Sequence, residues 1–441
     1  MGAPAAGERV VVIGAGLAGC EAAHQLARRG VPVTLYEMRP GERSAAHRGD
    51  DFAELVCSNS FRARALENAV GLLKEELRRL GSLVMEAADQ CEVPAGRALA
   101  VDRHAFARHV TERTRDHREI EVRNERVDRL PDAPLAILAT GPLTAAPLAA
   151  ELAALAGQDS LYFYDAISPI VYADSIDADV AFRASRWEDA GDYLNLPLDR
   201  DEYDRFVADL VDADRLALHP AEAALYFEGC LPIEEMARRG PRTLAFGPMK
   251  SVGIRHPRTG QRPWAVVQLR QEDKCGVLYN LVGCQTRLRI GEQQRVFRSL
   301  PGLGKAVFAR YGSVHRNTFV NAPACLLPSL ELRARPGLYL AGQLSGVEGY
   351  LESAAIGFLA GVFAAHAFRG APLPRVPETS ALGALLRHLR EADPNHFAPM
   401  NVNYGLFPPL ALAPRERRER NRALAERSLA DLSGFAAEIA A

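Results

Sequence analysis

Lysine is almost missing from this chain. Of 53 basic residues only Lys74, Lys250, Lys274 and Lys305 are lysines, so its cations are nearly all arginine. Arginine suits phosphate recognition, but base composition of a genome gives the same bias, so this neither supports nor excludes an RNA partner. An excess of charge is also lacking: the formal net charge is -2, which gives no global signature for nucleic acid. The seven cysteines (Cys20, Cys57, Cys91, Cys230, Cys275, Cys284, Cys325) are odd in number, scattered and without a C-x-x-C pair. That argues against a disulfide framework and against a zinc site, and points to a cytoplasmic location. No stretch approaches the roughly 20 apolar residues of a membrane span, and the N-terminus has an acidic residue and a glycine-rich turn where an export signal needs a basic start. No membrane association and no metal are therefore expected. Internal repeats, low-complexity segments and a second glycine fingerprint are absent too. Gly302-Leu303-Gly304 lacks the strand and helix context, so a nicotinamide reductant has no Rossmann domain of its own.

What is present is a 441-residue chain with 48% hydrophobic residues, enough for two or three domains. From Arg9 to Glu37 it reads strand, glycine turn, helix, strand. Gly14 permits the turn, Gly16 lets amides approach a pyrophosphate, and Gly19 lets the helix pack on the strand. With Ala15, Leu17 and Ala18 these residues form the candidate phosphate loop, and Glu37 ends the second strand where a carboxylate can bind ribose hydroxyls. A tight structural turn is the alternative. A second strand-like run, Leu135 onward, ends at Gly141-Pro142; a third, Gly337-Leu338-Tyr339-Leu340, leads through Gly342 and Gln343 into a glycine-spaced helix expected from Gly346 and containing Glu352. The three pieces stand in the order found in FAD enzymes, so FAD rather than NAD is the expected resident cofactor.

The fold expected is α/β: a Rossmann-type, two-dinucleotide-binding-domain-like FAD domain (1–160 and 326–370), an inserted α+β substrate domain (161–325), and a linker with a C-terminal helical segment (371–441). Helices are expected over 380–392 and 415–432. Inside the insertion, Cys230 precedes a helix started by Pro232 and stopped by Gly240. A helix N-terminus lowers a thiol's pKa while Glu228, Glu234 and Glu235 raise it, so on this segment alone a reactive thiolate and a buried, inert cysteine both stand.

Longer strings carry a family resemblance: Phe52-Ala53-Glu54-Leu55-Val56-Cys57-Ser58-Asn59-Ser60, the Cys230 segment, Phe246-Gly247-Pro248-Met249-Lys250-Ser251-Val252-Gly253, Ala265 to Gln271, Val314 to Phe319, and the Ala341 to Ala355 region. Nearly end to end, the chain resembles the folate- and FAD-dependent tRNA uracil-5 methyltransferases (TrmFO). The resemblance implies methylation of uridine 54 in the T-loop of tRNA, with 5,10-methylenetetrahydrofolate as carbon donor and NADH or NADPH restoring reduced FAD. It implies a thiolate adding to uracil C6, for which Cys230 is the candidate and Cys57, assigned to the flavin pocket, the rival. His315, Arg316, Lys250, Arg270 and Arg287 are candidates for folate or RNA phosphate; each also reads as an ordinary structural or solvated residue. Gln343 replaces the acid many FAD enzymes carry there but agrees with this family. The basic stretch Arg238, Arg239, Arg242, Lys250, Arg255 and Arg258 is a possible phosphate track. Rival readings are the related flavoproteins that modify wobble uridines, a flavin-dependent thiol or nicotinamide oxidoreductase, and a FAD-stabilised RNA-binding factor without turnover. The oligomeric state is not legible.

Overall fold

The β-branched run Val10–Ile13 is bounded by a glycine turn and apolar on both faces, which suits a strand covered by helices on both sides. It is central to a five-stranded parallel sheet, in the order Leu338–Leu340, Ala136–Leu138, Val10–Ile13, Val33–Glu37, Ile120–Asn124. All three sequence pieces thus meet in one sheet. The computed structural model describes residues 8–157, 161–186, 188–216 and 231–440, without the side chains of 161–165, 188–190, 315 and 316.

Helix Leu17–Ala27 packs on helix Tyr350–Phe368 through missing side chains. A Cβ on Gly357 would lie 2.2 Å from the Ala18 carbonyl oxygen, and one on Gly361 would lie 2.6 Å from that of Ala22. The glycine spacing of the second helix is therefore a packing device. This helix corrects two expectations. It begins at Tyr350 rather than Gly346, because Gly342–Ser345 forms a tight 3-10 turn and Gly346 and Gly349 adopt φ of 96° and 112°, outside helical geometry. Its 19 residues are also long and apolar enough to cross a membrane, whereas the sequence was read as having no such stretch; here most of the helix is buried in the protein.

A second sheet has six strands in the order Phe182–Ser185, Glu188–Leu198, Ala265–Gln271, Leu278–Leu281, Ile170–Tyr172, Phe308–Arg310, with antiparallel neighbours. It has its own core, including Leu196, Tyr203, Phe206, Val267, Leu281 and Phe297. A two-stranded ribbon, Leu161–Ile167 with Ser313–Phe319, lies where the chain enters and leaves this region. Tail helices Ala381–Glu391 and Arg417–Ala440 join the first core through Leu382, Leu385, Leu424 and Phe435. The last helix outruns its expected end at residue 432 because Phe435 and Ile439 also find apolar cover.

Candidate active site

At the end of strand Val10–Ile13 the backbone turns at Gly14 with φ of 98°, and a Cβ there would sit 2.6 Å from the Ala139 oxygen. Gly19 is tighter still, with its Cβ position 1.7 Å from the Gly14 oxygen. Gly16 differs: nothing lies within 4 Å of the Cβ it lacks. The protein's own packing does not require that glycine. It caps helix Leu17–Ala27 without a side-chain bond, leaving the first-turn amides to a ligand.

These residues open onto a cleft enclosing about 1120 Å³ out to its mouth, which Gly14, Gly16, Leu17, Ala18, Glu37, Gly141, Gly342 and Gln343 all help line. Eight of the eleven residues expected to contact the cofactor therefore converge here. Ala15 and Gly19 lie within the loop and helix behind them. Glu352 turns elsewhere: fully buried, it pairs with Arg62 and accepts from the Val402 amide at 3.0 Å. The Glu37 carboxylate accepts from the Ala15 amide at 2.8 Å and from Arg39 Nε at 2.8 Å. Burial pushes its carboxyl up, but the Arg39 guanidinium and the backbone amides outweigh that and hold it below the usual carboxylate range. Gln343 donates to Glu348, which occupies its amide group.

Val56 lines the cleft and Cys57 follows it, half-buried, on a loop held from several sides. The Tyr350 hydroxyl accepts the backbone N–H groups of Cys57 at 2.7 Å and of Ser58 at 3.2 Å. Arg103 donates to the Leu55 carbonyl at 2.5 Å and to that of Cys57 at 3.5 Å, and Arg310 donates to the carbonyl of Val56. Three consecutive carbonyls are thus held by two guanidiniums. Arg103 also forms a buried ion pair, 2.6 Å long, with Glu272, the residue that follows strand Ala265–Gln271. Burial pulls the Arg103 guanidinium down, but the Glu272 carboxylate outweighs it and raises it. Arg310 is lowered, first by burial and then by the charge of Arg103, while burial and the nearby Cys57 thiol raise the Tyr350 hydroxyl. Next along the loop, Asn59 accepts from Arg270 Nε at 2.8 Å and donates to the Gln271 carbonyl at 2.9 Å, so strand Ala265–Gln271 grips this segment directly.

Arg270 is thereby placed two residues from Cys57 along the loop, through Asn59. Its Nη2 and the Glu272 Oε1 face each other at 3.7 Å, and both are buried without a hydrogen-bond partner. Arg287 goes elsewhere: it binds Glu235 at 2.5 Å and the Leu216 carbonyl at 2.9 Å, anchoring the short helix Ile233–Arg238. Glu234, expected to complement that helix start, is buried and accepts from Thr286 Oγ1 and the Arg287 amide. Lys250 is exposed. Cys230 lies outside the described residues. His315 and Arg316 fall within strand Ser313–Phe319, and their side chains lie outside the described ones.

Of the other cysteines, Cys20, Cys91, Cys284 and Cys325 are buried as packing residues would be, while Cys275 is exposed. Burial pushes the Cys20 and Cys284 thiols up to about 12. Among the described residues no group of histidines, cysteines and carboxylates has metal-binding geometry. Sequence reasoning missed Arg39, Arg103, Glu272 and Arg310. Arg103 follows a helix-capping aspartate, Asp102, which marks a helix start but gives no sign of a partner 169 residues away.

The family model for glucose inhibited division protein A matches residues 9–372. Among curated relatives, the methylenetetrahydrofolate--tRNA-(uracil-5-)-methyltransferase TrmFO of Desulforudis audaxviator is 58% identical over 433 residues, covering 97% of this chain and 98% of its own. Its namesake in Heliobacterium modesticaldum is 55% identical over 97% of this chain and 98% of its own. Two crystal forms of Aquifex aeolicus GidA share the fold, with TM-scores of 0.70 and 0.67 at 16% and 17% identity, covering 97% of this chain and 76% and 73% of theirs. The chain belongs to the glucose inhibited division protein A family and, within it, to the TrmFO methylenetetrahydrofolate--tRNA-(uracil-5-)-methyltransferases.

Proposed function

We infer that the protein methylates carbon 5 of uridine in tRNA, at position 54 of the T-loop, taking the one-carbon unit from 5,10-methylenetetrahydrofolate. The observation that carries this is a thiol-bearing loop, held by charged residues of two domains, that begins at the wall of a dinucleotide cleft. The near full-length likeness to proteins named for this reaction supports it.

The cleft suits FAD. Gly16 leaves room for a pyrophosphate at the amides of helix Leu17–Ala27, and Glu37, kept ionised by Arg39, is ready to accept from ribose hydroxyls. Gly14, Ala15, Leu17, Ala18 and Gly19 shape that end, with Gly141, Gly342 and Gln343 on the facing turns. When bound, FAD supplies the hydride that completes the methyl group, with NADH or NADPH as the source of electrons.

Uracil C5 becomes an adequate nucleophile only after a nucleophile adds to C6, and a thiolate suits that addition. We assign it to Cys230, with Cys57 as the second thiol of the site. Arg103, Arg310 and Tyr350 fix the backbone that presents Cys57, and Arg270, held by Asn59 and Glu272, stays a proposal for folate or RNA phosphate. Arg287, bonded to Glu235 and the Leu216 carbonyl, stays a proposal for the same role. His315, Arg316 and Lys250 remain proposals for folate or RNA phosphate. The domain division we propose is 1–160 with 326–370 for the cofactor, 161–325 for substrate, and 371–441 as linker and helical tail; the cytoplasm, where tRNA and folate meet, is the proposed location.

The test is to incubate the purified protein with unmodified tRNA, methylenetetrahydrofolate and NADH or NADPH and to measure 5-methyluridine by mass; no product where a relative succeeds would overturn the assignment. A 5-fluorouridine RNA separates the thiols. The covalent complex is expected to vanish in Cys230→Ala; survival there with loss in Cys57→Ala reverses the roles.

A further inference from the structure

The charge of -2 hides a strong local asymmetry. From Arg238 to Trp264 the chain has seven cations (Arg238, Arg239, Arg242, Lys250, Arg255, Arg258, Arg262) and no carboxylate. This segment forms much of one wall of an open groove in the inserted domain, away from the dinucleotide cleft. Two aromatic side chains stand at the groove in water: Phe246 is 78% exposed and Trp264 42%. The Arg200 guanidinium lies over the Trp264 ring, 5.4 Å from its centroid, while Arg242 and Arg262 are exposed on the lining. The lining carboxylates, Asp199 and Glu202, are tied into a capping box, each accepting a backbone amide of the other at 2.8 Å.

Arg200 pairs with Asp204 at 3.8 Å and Arg262 donates to Ser251, yet exposed aromatic faces among exposed arginines suit a polyanion that also offers flat, unstacked rings, which is the chemistry of unpaired RNA. A folded protein partner would need a larger apolar centre. We propose that this groove is the RNA anchor: the arginines hold phosphates and an unpaired base stacks on Trp264 or Phe246. The proposal rests on the reading that the substrate is tRNA.

The sheet gives the scale. Trp264 precedes strand Ala265–Gln271, and Arg270 at its far end touches Asn59 beside Cys57. Six residues of extended chain span about 20 Å. That is well within the reach of a tRNA, so the anchor and the reacting uridine engage different parts of one large substrate.

The experiment uses flavin-loaded, full-length enzyme and unmodified tRNA. The chain has two tryptophans, so Trp187→Phe leaves Trp264 as the sole reporter, and its emission is expected to be quenched as tRNA is added. Phe246→Ala and Trp264→Ala are each expected to weaken tRNA binding about 10-fold, with Trp264→Phe restoring most of it. In Arg242→Ala/Arg262→Ala the slope of log affinity against log salt should fall by about 1.5, as two phosphate contacts are lost. Flavin content reports folding for every variant. If the wild type binds no tRNA, the substrate reading falls and the groove with it; if the wild type binds and all variants bind equally, the groove proposal alone is overturned. It is overturned also if the aromatic variants dissociate a dimer and leave tRNA affinity unchanged.

Discussion

The dinucleotide cleft and the Cys57 boundary are built by opposite means. The cleft is made by removing atoms: Gly14, Gly19, Gly357 and Gly361 allow backbones to approach, and each does so against a specific carbonyl or chain segment. The boundary is made by adding charge: Arg103, Arg310, Arg270 and Glu272 converge on one loop from distant parts of the chain. Local spacing suffices for the first kind of construction, whereas the second exists only after segments far apart in the chain have met. Their tolerance to substitution should differ accordingly.

Gly357→Val puts the sharpest strain on that contrast. Its added atoms meet the Ala18 carbonyl oxygen 2.2 Å from the Cβ position, backbone against backbone, so a loss of about 3 kcal/mol or more is expected, read by denaturant unfolding. Glu272→Ala is the corresponding lesion at the boundary. It leaves the Arg103 guanidinium buried without its carboxylate and should cost about 3 kcal/mol, together with faster alkylation of Cys57 by iodoacetamide as its loop loosens. Equal stability and an unchanged alkylation rate would mean that the domains do not hold the loop through this pair.

Gly16→Ala sharpens the comparison from inside the cleft. Because nothing lies near the missing Cβ, stability should change by less than about 0.5 kcal/mol while flavin affinity falls about 10-fold, measured by titrating the apoprotein. A folding defect equal to that of Gly357→Val would erase the distinction between a glycine required by packing and one required by ligand. The smallest effect is a pH dependence. The Glu37 carboxyl is lowered in the folded protein, so its stabilisation is complete above the unfolded value of about 4.3 and disappears as pH falls through the folded one. Glu37→Gln should therefore flatten the acid limb of the stability profile and leave the profile above pH of about 5 parallel to the wild type.

The same division explains what could be read from sequence. The parallel sheet, the phosphate loop and the facing turns at Gly141 and Gly342 follow from glycines and apolar runs within a few residues of one another. The start of the long helix was misplaced because Gly346 and Gly349 were counted as helical, when their positive φ values form the turn before it. Glu352 and Arg287 looked like ligand contacts because charged residues in matched strings attract that reading; the fold uses them to neutralise Arg62 and to hold Glu235. The Arg103 to Glu272 pair joins residues 169 apart, a separation over which no spacing rule operates.

Helix Tyr350–Phe368 gives the two constructions a shared frame of reference. Its first residue receives the amides of Cys57 and Ser58, and its body is seated on the helix that begins at the phosphate loop. Thiol and cofactor cleft are therefore registered to the same rigid rod, about 28 Å long. Arg270, Arg310 and Glu272 come to the loop from the other sheet and its flanking turn, so the rod is what thiol and cofactor cleft have in common.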